Sequence, residues 1–288
     1  MTPLDSQKVP RGIALNVLGK LRKLRWLPVR HWFDLREAMR LRVTARDPRD
    51  GHHYTFQAGA LHSYQRAKNY LRRDLWATSW LRENLRPSDV FLDIGANVGT
   101  FSIFAAKRLS EEGHVYACEP HLPTAVELLR NVVANGLQDR LSVLSIAAAG
   151  EDRFVPFKYK RWREGASGSQ LAGGTPLEKH VGIELKCGMR IDSMIAGGII
   201  RPPNLIKIDT DGLELQIARG MKNLLCGDQR PRSMVIEVAP GDLQQQVDFM
   251  RSCGYSMVDT YFGTYSRQLK DRGHDINELS LNAFFSPT

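Results

Sequence analysis

A short apolar strand, Val90-Phe-Leu-Asp93, runs into the loop Asp93-Ile-Gly-Ala-Asn-Val-Gly99, and a helical pattern over Val98–Leu109 follows at once. No other feature constrains the chain as much. A strand, a glycine-rich turn and a helix in that order open a βαβ unit. Gly95 has no Cβ and lets the chain turn sharply. Asn97 is a residue type that tolerates unusual backbone angles. Gly99 permits close approach of backbone to ligand, or of helix to strand.

The alternation continues downstream. His114–Cys118 reads as a second strand, Pro123–Asn135 as a helix and Leu141–Ile146 as a third strand. Residues 150–190 are less regular, and Gly165-Ala-Ser-Gly-Ser-Gln170 reads as a mobile lid or a flexible loop. Asn204–Asp209 restarts the pattern as a strand, with a helix over 212–222. Met234–Val238 is a strand, Leu243–Cys253 a helix, and Tyr255–Val258 with Asn282–Phe285 a closing pair of strands. Strands alternating with helices predict a doubly wound, mostly parallel, Rossmann-like α/β sheet. We place this catalytic domain at 89–288, because Arg86-Pro-Ser-Asp89 interrupts the preceding pattern.

Residues 1–88 form a basic extension of helices and a hairpin. Ile13, Val17, Leu18, Leu21 and Leu24 recur near helical spacing with Lys and Arg between them. A second helix is expected over Trp32–Leu41. Arg42–Arg46 and His53–Phe56 flank Asp47-Pro-Arg-Asp-Gly51 as a hairpin, and 61–85 reads as helical. The net charge of the chain is +9, and residues 1–50 carry +7 of it, with 12 Lys/Arg against 5 Asp/Glu. The basic helix suits three surroundings: the catalytic domain itself, an anionic membrane surface, or nucleic acid, the last being the least favoured. No run of about 18 apolar residues predicts a membrane span. With four scattered cysteines and no secretory signal, a cytoplasmic protein is expected, peripheral to a membrane under the membrane-surface reading of the basic helix.

The chemistry concentrates at two strand ends. The spacing after Asp93 differs from the dinucleotide GxGxxG, and a carboxylate opening the loop would repel a pyrophosphate. It suits a cationic ligand, and S-adenosylmethionine carries both a sulfonium and an amino group. Glu119 ends the second strand, 26 residues after Asp93, where an acid can accept hydrogen bonds from both ribose hydroxyls. Asp93, Gly95, Asn97, Gly99 and Glu119 are therefore the expected cofactor-binding residues. Asp209, at the end of a later strand, is the expected general base. Lys207 and Glu237 join it in the catalytic set, with Asp211 as a further positioning candidate. Asp209, Asp211 and Glu237 would offer oxygen ligands to magnesium, but no metal is expected.

Asp93–Gly99, Glu119-Pro120, Leu205-Ile-Lys-Ile-Asp-Thr-Asp-Gly-Leu-Glu214 and Val235-Ile-Glu-Val238 together resemble the FkbM-family methyltransferases. The third block departs from the family's IKIDVEGxE by having Asp211 where Glu is usual. The resemblance covers about 89–288. It implies methylation of a hydroxyl group on a sugar, glycolipid, polysaccharide or natural product. An RNA methyltransferase gripping phosphates with the basic segment, a non-catalytic cofactor-binding protein and a dehydrogenase are the competing readings.

Overall fold

The computed structural model describes residues 41–73, 75–171 and 179–288. The basic helix expected at 12–27, the second helix up to residue 40, and Gly173-Gly174 lie outside them. The described residues 41–288 belong to one compact unit.

The chain begins with strands β1 (Leu41–Arg46) and β2 (His53–Ala58), an antiparallel hairpin around the expected turn. Helices α1 (Leu61–Arg73) and α2 (Leu75–Asn84) follow. Then come β3 (Val90–Ile94), α3 (Thr100–Ala106), β4 (His114–Cys118), α4 (Leu122–Ala134) and β5 (Leu141–Leu144). Four strands, β6 (Ala147–Ala148), β7 (Arg153–Tyr159), β8 (Gln170–Leu171) and β9 (Gly182–Met189), precede α5 (Ile191–Ala196). The last part runs β10 (Leu205–Ile208), α6 (Glu214–Arg219), α7 (Lys222–Cys226), β11 (Ser233–Val238), α8 (Leu243–Ser252), β12 (Tyr255–Tyr261), α9 (Thr264–Asp271) and β13 (Leu281–Pro287).

Seven strands make the central sheet in the order β12-β13-β11-β10-β3-β4-β5. β5, β4, β3, β10 and β11 are parallel to their neighbours, while β13 pairs antiparallel with β11 and β12. From β3 the chain first builds outward through β4 and β5, then returns to lay β10 and β11 on the other side. The order therefore reverses between β3 and β10, and a crevice opens outside the carboxyl ends of strands at such a point. Asp93 and Lys207 sit opposite each other in the β3–β10 register.

The central strands are apolar because helices cover both faces of the sheet. Their alternation divides the side chains cleanly. Leu92, Ile94, Ile206, Ile208, Met234 and Ile236 join the core on one face. Phe91, Leu205 and Val235 join Phe104 and Leu128 on the other. Asp93 and Lys207 are the charged exceptions, 0% and 2% exposed.

Residues 41–84 pack onto this sheet through both apolar and polar contacts. Tyr54 stacks on Phe104 of α3 with ring centroids 5.9 Å apart. One face of α4 satisfies the outer edge of β2. Asn135 and Asn131 accept hydrogen bonds from the amides of Thr55 and Gln57, and Glu127 from that of Gly59. These three acceptors are spaced four residues apart, so one helix face reads a strand edge. Asp47 and Asp50 of the hairpin turn pair with Arg82 and Arg108.

The irregularity expected over 150–190 is corrected by β7 and β9, which pair antiparallel along their length in a four-stranded sheet ordered β6-β9-β7-β8. Pro156 inside β7 obscured the alternation of Val155, Phe157 and Tyr159, all buried. The helix expected at 212–222 is two short helices. They part at Gly220, where a Cβ would lie 2.4 Å from the carbonyl oxygen of Ala149.

Candidate active site

A cleft of about 630 Å³ opens at the carboxyl ends of β3, β4 and β10. That volume suits one small-molecule ligand with room beside it. Of the residues singled out from the sequence, Gly95, Asn97, Glu119, Asp209, Asp211 and Glu237 line it. Asp93, Gly99 and Lys207 do not. Gly99 caps α3 and faces α4, where a Cβ would meet Leu128 Cδ1 at 2.1 Å. Its role here is helix packing.

Gly95 and Asn97 shape the floor of the cleft by backbone geometry. Both have positive φ, 77° and 52°. A Cβ on Gly95 would lie 1.8 Å from the backbone oxygen of Asp209, so the β3 and β10 loops touch at this point. Gly95→Ala is expected to cost about 2–4 kcal/mol of stability, from backbone strain and overpacking together. Chemical denaturation would read it, and an unchanged midpoint would show that the loops can separate freely.

Glu119 is 6% exposed. Each of its carboxylate oxygens accepts a backbone hydrogen bond: Oε2 from Asn97 N and Oε1 from His121 N, both at 2.8 Å. Burial pushes its pKa up to about 7, against the pull of those two amides. The two bonds fix the plane of the carboxylate and leave further lone pairs for a ligand.

His121, next after Glu119-Pro120, is buried and lines the cleft. Its Nε2 meets the carbonyl of Arg161 at 2.9 Å and its Nδ1 meets Thr124 Oγ1 at 2.7 Å. A carbonyl only accepts, so Nε2 carries the proton and Nδ1 accepts from the Thr124 hydroxyl. Burial lowers the pKa of the ring and keeps it neutral. Thr124 Oγ1 in turn accepts from Gly165 N at 3.1 Å. The 165–169 loop is tied down again by Asn97 Nδ2 donating to the Ala166 oxygen and Gly168 N donating to Asp211 Oδ2. This segment is an anchored wall of the cleft.

The charged cluster runs beneath and across the crevice. Asp93 accepts from Ser102 Oγ at 2.5 Å and lies 3.7 Å from Lys207 Nζ. Lys207 Nζ donates to Asp209 Oδ2 at 3.2 Å. Burial favours the neutral amine in Lys207, but Asp209 and Asp93 outweigh it and hold the pKa above its usual value. Burial likewise opposes ionisation of Asp209, yet Lys207 and a hydrogen bond from Glu237 hold this carboxyl below the usual range. Burial and the neighbouring Asp209 charge push Glu237 up to about 9. At neutral pH, Glu237 is therefore the protonated partner and donates to the Asp209 carboxylate. Asp209 keeps 44% of its side chain open, and this face is turned to the cleft.

The loop after Asp209 is held by a residue to which sequence reasoning assigned no role. Glu214 Oε1 accepts from Thr210 N, Thr210 Oγ1 and Gly212 N. Asp211 adopts a positive φ of 59° in this turn. Among the described residues, no three His, Cys, Asp or Glu side chains could hold a metal ion. Arg66, Trp76, Tyr261, Tyr265 and Asn282 also line the cleft. They arrive from α1, α2, β12, α9 and β13, and none lies in the motifs read from the sequence. Trp76 stacks on Tyr261 at 5.4 Å.

Residues 93–257 match the methyltransferase FkbM domain. The hexuronic acid methyltransferase AglP of Haloferax volcanii is 27% identical over 162 residues, which is 56% of this chain and 60% of that protein. The match thus spans little more than half the length of that curated relative. Among solved structures, the FkbM methyltransferase of Methylobacillus flagellatus is 17% identical, with a TM-score of 0.44 over 78% of this chain and 55% of that one. An rRNA methylase of Streptococcus thermophilus is 11% identical, with a TM-score of 0.42 over 75% and 96%.

Proposed function

The chain belongs to the FkbM methyltransferase family, and on that premise we propose that it methylates a hydroxyl group of a sugar or glycolipid. The protein is an S-adenosylmethionine-dependent methyltransferase, and the finer assignment concerns its acceptor. The observation that carries this reading is the open face of Asp209 at the crevice, with Lys207 Nζ donating to its Oδ2 at 3.2 Å and Glu237 lining the same cleft. The hexuronic acid named for the relative also points to a sugar.

The cleft's donor set fits the cofactor. Glu119, pinned by two backbone amides, would accept from the ribose hydroxyls. Gly95 and Asn97 would give the backbone room to approach the ligand. Asp93 would act at one remove, by holding Lys207 charged beneath the floor. S-adenosylmethionine supplies a methyl group already activated on a sulfonium, so the protein needs mainly to align an oxygen and take its proton.

Asp209 would accept the hydrogen bond of the acceptor hydroxyl and orient its lone pair. Its lowered pKa makes it a weak base, and a weak base suffices. A hydroxyl becomes strongly acidic as its oxygen forms a third bond, to the methyl carbon that is leaving the sulfonium sulfur, so the proton leaves late. Lys207 and Glu237 hold the carboxylate plane while this happens. The exposed Tyr265, in the same cleft as the stacked Trp76 and Tyr261, offers an aromatic face on which the apolar face of a pyranose can rest.

Glu237 sets an alkaline limit. Its carboxyl keeps its proton until pH approaches about 9, and ionisation there would put two negative charges side by side. Turnover is expected to fall above that pH in the wild type. Glu237→Gln keeps a donor that cannot ionise, so its profile should lose the alkaline limb while retaining activity at pH 7. A variant that keeps the same limb would remove Glu237 from this role.

The acceptor reading is tested by incubating the protein with S-adenosylmethionine and a panel of neutral sugars, hexuronic acids, glycolipids and RNA. Formation of S-adenosylhomocysteine with a sugar, and a methyl ether in the product by NMR, is the expected result. Turnover on RNA alone, weakening steeply with salt, would replace it.

A further inference from the structure

We propose that Arg66 is the carboxylate-binding residue of the cleft, an assignment that rests on the methyltransferase reading. The carboxylate has two sources of the same chemistry: the amino-acid end of the cofactor, or an acidic sugar acceptor.

The placement of Arg66 follows from α1. Ser63 and Ala67 on this helix are 1% and 0% exposed, so their side faces inward. Arg66, one turn after Ser63, stands at the margin of that side, exposed, and lines the cleft. The start of α1 is fixed against the cleft wall, because a Cβ on Gly165 would meet the backbone nitrogen of Ser63 at 2.9 Å. Ser63 Oγ also donates to the Ala60 oxygen at 2.8 Å. Arg66 thus enters the cleft from a helix anchored to the loop that lines it.

Its electrostatic position is distinctive. Arg66 is the only Lys or Arg among the described residues that line the cleft. The acids there are Glu119, Asp209, Asp211 and Glu237, of which Glu237 is held protonated by burial and the Asp209 charge. Its charge acts on Glu119, Asp209 and Asp211. Among the described residues, however, no carboxylate lies within ion-pair distance of it, whereas Lys207 is already paired to Asp93 and Asp209. Its guanidinium therefore remains available. An entering anion would meet repulsion from every other charged group in the cleft. A carboxylate matches the guanidinium fork with two parallel hydrogen bonds, a geometry that Lys cannot reproduce.

The experiment compares the full-length wild type with Arg66→Ala and Arg66→Lys by calorimetry. The probes for the first arm are S-adenosylhomocysteine and 5′-methylthioadenosine, which lacks the amino-acid end. The probes for the second arm are glucuronic acid and glucose, titrated into protein saturated with S-adenosylhomocysteine. If the cofactor supplies the carboxylate, Arg66→Ala weakens S-adenosylhomocysteine about 10- to 100-fold and leaves methylthioadenosine unchanged. If the acceptor supplies it, S-adenosylhomocysteine is unchanged and the preference of the wild type for glucuronic acid over glucose disappears. Arg66→Lys should fall between the two proteins on whichever probe responds. Equal weakening of both nucleosides would overturn the assignment. So would an unchanged S-adenosylhomocysteine affinity with no wild-type preference for glucuronic acid. A wild type that binds neither nucleoside would instead overturn the methyltransferase reading from which the proposal starts.

Discussion

Asp209→Asn is expected to lower turnover by about 10²- to 10⁴-fold, the range for losing a positioned base, with cofactor affinity nearly unchanged. The substitution preserves shape and removes the charge that Lys207 and Glu237 now share. An amide can still accept one hydrogen bond, but it cannot take the acceptor's proton. Lys207 would retain Asp93 as a counter-ion at 3.7 Å, so the fold should survive. Thermal unfolding of the variant should show a cooperative transition at a lower midpoint, because one partner of a buried cation is gone. Single-turnover rates at saturating cofactor and acceptor would separate this from a binding defect. Near-normal rates would mean that solvent takes the proton and that Asp209 serves only to hold the floor of the cleft.

The second large effect is expected at Glu119. Glu119→Gln should weaken S-adenosylhomocysteine by about 10²- to 10⁴-fold, equivalent to losing two charge-assisted hydrogen bonds. The change is nearly isosteric but not conservative here. Each oxygen of the carboxylate already accepts a backbone N–H, from Asn97 and from His121. An amide must turn its NH₂ group toward one of these donors, and it offers a donor where a ribose hydroxyl needs an acceptor.

The pH dependence of this site has a definite sign. The folded-state pKa of Glu119 is raised from 4.5 to about 7. The folded protein therefore holds this proton more tightly than the unfolded chain. Its contribution to stability is full below about pH 4.5 and is lost as pH rises toward about 7. Ligand binding runs the other way, because hydroxyl donors favour the ionised carboxylate. Affinity for S-adenosylhomocysteine should rise as pH increases through about 7 in the wild type and stay flat in the Gln variant. A flat wild-type profile would mean that Glu119 is already ionised without ligand or does not touch the ribose.

Much of the fold was legible because it is written in local chemistry. The strands at 90, 114, 141, 205 and 234 are apolar runs bounded by turn residues, and the hairpin around Asp47–Gly51 carries its own turn signal. Gly95, Asn97 and Glu119 were singled out because a glycine turn and a strand-end acid occupy fixed places in a βαβ unit, and all three line the cleft. The β7–β9 pair was missed because Pro156 masks a strand whose alternation is otherwise clear. Glu214 was visible as the last residue of a recognised block, but its three hydrogen bonds depend on how the turn at 210–214 closes.

The sequence by itself determined the alternation of the central strands with their helices, the glycine turn after β3 and the acids at the strand ends. Each depends on residues within one or two turns of the chain. Only the tertiary structure decided where those acids stand and what they touch. Asp93 and Lys207 are 114 residues apart, and parallel register sets them opposite each other. Burial at that point favours charges that are paired, and it sets Asp93 against Lys207, outside the lining of the cleft. Likewise, α1 brings Arg66 to a cleft whose acids come from β11, from the residue just past β4 and from the loop after β10. Sequence periodicity places a residue on a face of its own element, and only the packing of distant elements determines what that face meets.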